Sequence, residues 1–104
     1  MIVAYYGTYT IATLWGKAGS DFDLMIDDGL HTFDAARCFF ENSIDRLAPH
    51  GIYIIEDVVI PDLPKYREYF EFARYQADIV MLQPPHSKAI GNNLVVARHK
   101  IDQL

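Results

Sequence analysis

FDLMIDDGLH, residues 22–31, carries the strongest structural signal in the chain. Phe22 to Ile26 is a compact, mainly hydrophobic run that stops at Asp27, Asp28 and Gly29, as a buried strand ends in a polar loop. Downstream, Phe33, Ala36, Phe40, Ile44 and Leu47 recur every three or four positions and predict one face of a helix over Thr32 to Ala48. Pro49 and Gly51 are read as its stop. Gly51 to Val59 then carries Ile52, Tyr53, Ile54 and Ile55, a second apolar strand that also ends in acids, Glu56 and Asp57.

Asp62 can cap a further helix, Pro64 suits its first turn, and Leu63, Tyr66, Phe70 and Ala73 form an apolar stripe with Tyr69 and Phe72 beside it. That stripe reads as a buried helix face. Asp78 to Leu82 and Asn93 to Ala97 are two more strand candidates, with 84–92 as the loop between them. Upstream, Ile2 to Tyr6 is strand-prone and closed by Gly7. The order strand, helix, strand, helix predicts parallel pairing by right-handed crossovers, while the last two strands, joined without a helix, are expected to be antiparallel. The fold class is α/β, a partial Rossmann-like sheet over one domain, residues 1–104.

With 104 residues, 51% hydrophobic and 22% charged, the chain has the balance of a globular domain. So short a chain buries a modest share of its surface, which favours a homodimer or another partner completing the core. The net charge of -5 and the scattered basic residues argue against a nucleic-acid groove. No apolar run is long enough to span a bilayer, and a lone cysteine, Cys38, fits a reducing, cytoplasmic setting. Cys38 lies in a helical pattern and is read as a packing residue.

In open α/β sheets, ligands bind outside the carboxyl ends of the strands, where both acidic clusters sit. If the strands are neighbours, Asp28 converges with Glu56 and Asp57, and three carboxylates together call for neutralisation by a cation or by protons. Oxygen-only ligands suit a hard, hydrated cation such as Mg²⁺. His31, three positions beyond Asp28, has an ordinary pKa near 6.5 and is the candidate general base toward a hydroxyl held on that cation. The plainer alternative is that Asp27 or Asp28 caps the following helix and His31 is a solvated loop residue. His50 is expected at the opposite end of the sheet, His86 in a loop, and His99 at the surface.

The run FDLMIDDGLH, the following helix to LAPHG, and IYIIEDV resemble the second half of class I S-adenosylmethionine-dependent methyltransferases, in particular the magnesium-dependent sugar O-methyltransferases of macrolide biosynthesis. In that family a D-D-G-x-H segment ends the fourth strand and I-E-D the fifth. The resemblance implies that Asp28, Glu56 and Asp57 are metal ligands and that His31 is the base; Asp27 is the candidate cofactor-binding residue. Catechol-type O-methyltransferases are more distantly similar and use a lysine base. The likeness covers Phe22 to Val59 by motif and the rest by element order. It equates Ile2 to Tyr6 with the family's third strand. The glycine-rich donor turn has no counterpart, since Gly7 lacks a G-x-G partner, so the S-adenosylmethionine half is expected upstream of Met1. Leu30 replaces a small residue of the motif.

Three functions follow as expectations. The first is a metal-dependent O-methyltransferase, in fragment or truncated form, acting on a small-molecule hydroxyl acceptor and inactive alone. The second is a non-catalytic interaction module that dimerises through sheet edges. The third is a small metal-dependent hydrolase.

Overall fold

The computed structural model describes residues 2–4, 21–28, 32–71, 75–81 and 92–100. They form β1 (Ile2–Ala4), β2 (Phe22–Asp27), α1 (Phe33–Ser43), β3 (Leu47–Val58), α2 (Leu63–Glu71), β4 (Tyr75–Met81) and β5 (Asn93–His99). Short 3₁₀ turns, Ile44–Arg46 and Ile60–Asp62, lead into β3 and α2. The sheet order is β1-β2-β3-β5-β4. The β1, β2 and β3 pairings are parallel, and β5 runs antiparallel to both β3 and β4. The expected α/β sheet with its antiparallel end is therefore observed.

Local chemistry explains the elements. The Thr32 side chain accepts a hydrogen bond from the Ala35 amide at 3.3 Å and caps α1. That gives the capping role to Thr32, which the sequence left open to Asp27 or Asp28. Along α1, Ala36, Phe39, Phe40 and Ser43 are buried. The helix ends at Ser43 and not at Ala48: Ile44 and Leu47 continue the apolar spacing, but from a 3₁₀ turn and from the first residue of β3. Gly51 accordingly lies inside a strand and stops no helix. A Cβ there would stand 2.8 Å from the Phe22 carbonyl oxygen and 2.7 Å from Leu47 Cδ1, so only glycine fits this approach of β3 to β2. β4 likewise begins three residues before the expected Asp78. Ahead of α2, the Asp62 carboxylate pairs with Lys65 Nζ at 3.2 Å.

β1 corrects a second expectation. In the doubly wound order the first strand lies beside the fourth, and the third is two places further out. Ile2–Ala4 pairs directly with β2, in register Ile2 with Met25 and Ala4 with Asp27, so it holds the first strand's position. Among the described strands, β1 is therefore the sheet's edge on that side.

Among the described residues, both helices cover one face of the sheet. Phe39, Phe40, Leu63, Tyr66 and Phe70 join Met25, Tyr53, Ile55, Val95 and Ala97 in a single core. Phe40 is its hub, edge-on to Tyr53, Phe70 and Tyr75, each with ring centroids 5.1 Å away. His99 is half-buried rather than at the surface: it packs on the Tyr75 ring at 5.5 Å, and its Nε2 lies 3.4 Å from the Leu47 carbonyl oxygen. His50 is exposed, as expected. No helix among the described residues is long and apolar enough to cross a membrane.

Tyr53 is fully buried, and among the described residues its hydroxyl has no hydrogen-bond partner. An unsatisfied buried hydroxyl keeps its desolvation cost without recompense, so Tyr53→Phe is expected to raise stability by about 1 kcal/mol. A urea midpoint that falls in this variant would show that the hydroxyl is satisfied after all.

Candidate functional site

The carboxyl ends of β2 and β3 are neighbours because Asp27 pairs with Ile55. The residues that follow them, Asp28 and Glu56, therefore emerge side by side. In a regular strand Glu56 and Asp57 would point to opposite faces. Here Ile55 pairs with Val95 but Val58 pairs with Asn93, so three steps along β3 match two along β5 and one extra residue forms a bulge. Asp57 takes a left-handed backbone, φ 55°, a conformation that Asp tolerates better than most residues. The bulge turns both acids to one side. Ligand oxygens of Asp28, Glu56 and Asp57 lie within 4.8 Å of one another, and all three side chains are half-buried. The Asn93 amide donates to the Val58 carbonyl at 2.8 Å, which ties down the strand just past the bulge.

This donor set fits a hard divalent cation. Three half-buried carboxylates supply anionic oxygens from two rigid strand ends, leaving positions for water or a substrate oxygen. Asp27 is placed differently. It is 5% exposed and turned toward the helix-covered face, where it lines a cavity of about 10 Å³ with Ala36, Glu56, Asp57 and Tyr66. That is near the smallest space that holds one water. Burial, reinforced by the negative charge of Asp27, pushes the Tyr53 and Tyr66 phenols well above their ordinary value. Tyr66, read from the sequence as core alone, thus also borders the acid cluster from beneath. The apolar stripe predicted its burial, but nothing in the spacing revealed that neighbour.

Gly29, Leu30 and His31 lie outside the described residues, as do His86 and Phe72. Of the site residues read from the sequence, the structure thus brings together Asp28, Glu56 and Asp57, and seats Asp27 below them.

The sequence matches no protein-family model and no curated protein. Among solved structures it is similar to a ribosomal protein L11 methylase from Lactobacillus delbrueckii subsp. bulgaricus, with TM-score 0.63 and 16% identity. The fold is methyltransferase-like. The likeness extends over 85% of this chain and 42% of that protein, so the chain spans less than half the length of the enzyme it matches.

Proposed function

We propose that this chain is the metal-binding, carboxyl-terminal half of a class I methyltransferase that transfers methyl from S-adenosylmethionine to a hydroxyl oxygen. The observation that carries this reading is the convergence of Asp28, Glu56 and Asp57 at adjacent strand ends. The solved methylase supports the methyltransferase part through its fold. The motif likeness to magnesium-dependent macrolide sugar O-methyltransferases supports the finer assignment of a small hydroxyl acceptor.

Asp28, Glu56 and Asp57 would hold the cation, which when bound lowers the pKa of a coordinated hydroxyl. S-adenosylmethionine supplies the electrophilic methyl group. His31 would take the hydroxyl proton as the methyl passes from sulfur to the oxygen and S-adenosylhomocysteine leaves, a role that an imidazole suits near neutral pH. Asp27 is offered to the donor side, acting through its charge from below the cluster. The bulge holds two of the acids in place before any ligand arrives, so little ordering is needed on binding.

Mn²⁺ serves as a spectroscopic stand-in for Mg²⁺. Titration followed by electron paramagnetic resonance is expected to reveal one specific site that Mg²⁺ displaces. Asp28→Asn and Glu56→Gln should each weaken it by about 10–100-fold, judged by what loss of supporting groups costs metal sites. Equal Mn²⁺ binding by wild type and both folded variants would end the metal assignment, and with it the O-methylation chemistry. Calorimetry with S-adenosylmethionine separately tests whether this half holds the donor.

A further inference from the structure

We infer that Asn93 is the positioning residue of the acid cluster: by holding Val58 across the β3–β5 seam, it keeps the bulge that turns Glu56 and Asp57 to one side. This rests on the metal-binding reading above. Asparagine is depleted in strands, and its amide is costly to bury unless hydrogen-bonded. Asn93 nevertheless opens β5 at 0% exposure, in line with Val95 and Ala97, where strand alternation calls for another aliphatic residue. Its side chain answers a local need. Ile55 pairs with Val95 and Val58 with Asn93, so the ladder is interrupted over the residues between. There Asn93 Nδ2 donates to the Val58 carbonyl at 2.8 Å, a side-chain bond added where the backbone pairing is broken.

The position of that bond decides which residues bend. Ile55 is fixed on one side of the bulge, buried and paired with both Asp27 and Val95. Val58 is fixed on the other, 3% exposed and held by Asn93. Glu56 and Asp57 are the residues between these two anchors and must take up the extra length. Asp57 does so at φ 55°, a left-handed backbone that is costly for a residue with a Cβ and persists only where its surroundings dictate it. Released from Asn93, Val58 can slide toward regular pairing and Asp57 can return to an extended backbone. Alternation then parts the two carboxylates that now lie, with Asp28, within 4.8 Å of one another. A cation that needs both acids would then have to supply the ordering that the bulge provides in advance.

Asn93→Leu keeps most of the side-chain volume and removes the donor. Mn²⁺ titration of the whole chain is expected to show about 10-fold weaker binding in this variant than in wild type, the low end of what loss of a supporting partner costs metal sites. In the metal-free proteins, the strong intraresidue amide–Hα Overhauser signal that a positive φ gives at Asp57 should be present in wild type and weak in Asn93→Leu. Asn93→Ala is read in the same way should Asn93→Leu not fold. Phe40→Leu, a core change among the rings of Tyr53, Phe70 and Tyr75, controls for lost stability and should bind Mn²⁺ as wild type does. Wild-type affinity in a folded Asn93 variant, an unchanged Asp57 signal, or equal weakening by Phe40→Leu overturns the positioning role and leaves the metal reading standing. A wild type that binds no Mn²⁺ overturns both.

Discussion

Phe40→Ala is expected to destabilise the fold by about 3–5 kcal/mol, the usual cost of removing a phenylalanine from a packed core. Phe40 is 1% exposed and touches four rings from three elements: Tyr53 of β3, Tyr69 and Phe70 of α2, and Tyr75 of β4. Its loss both forfeits apolar burial and leaves a cavity that four rigid neighbours cannot close together. A domain of this size has a stability of about 5–15 kcal/mol, so the variant sits near the threshold of unfolding at ordinary temperature. Urea denaturation followed by circular dichroism measures it. Phe40→Leu, which keeps most of the volume, should recover more than half of the loss. A loss below about 1 kcal/mol in the alanine variant would mean that the helix layer is not seated on the sheet through this residue.

Gly51→Ala is expected to cost about 2 kcal/mol, although the same change elsewhere in a strand is mild or favourable. The added methyl would meet the Phe22 carbonyl oxygen at 2.8 Å and Leu47 Cγ at 2.9 Å. The leucine can rotate, but the carbonyl belongs to the backbone of β2 and moves only if the two strands part. Overpacking of this kind costs about 1–3 kcal/mol, against an entropic gain of about 0.4–1 kcal/mol from replacing glycine in the unfolded chain. The steric term wins. Thermal unfolding of Gly51→Ala beside Gly51→Val tests this: the larger side chain should be worse, and an alanine variant as stable as wild type would show that β3 shifts freely against β2.

Those two positions also show where sequence reasoning reached and where it stopped. The central strands were legible because Phe22–Ile26 and Ile52–Ile55 are apolar on both faces, a pattern that leaves little besides a buried strand. The acids were legible as strand ends, and neighbouring strands were enough to bring Asp28 toward Glu56. What could not be read is the bulge. Alternation alone would part Glu56 from Asp57, and only the left-handed turn at Asp57 reunites them. The end of α1 misled because Ile44 and Leu47 must be buried whether they stand on a helix or lead into a strand. Gly51 misled in the same way, since a glycine after a helical pattern reads as a stop, while its use here is a close backbone approach. The position of β1 depends on pairing, which no local pattern encodes.

The order of the strands sets the order of assembly. β2 and β3 are joined through α1, so their register, Met25 with Tyr53, closes a short span of chain. β5 reaches β3 only after α2 and β4 have been made, and Ile55 finds Val95 forty positions along. Closing that longer loop costs about 0.3 kcal/mol more conformational entropy before any contact rewards it, so this seam is expected to form after the first. Until it does, the central strand of the finished sheet stands open along one side, and the interval in which the nascent chain is most exposed to misfolding is the wait for its last strand.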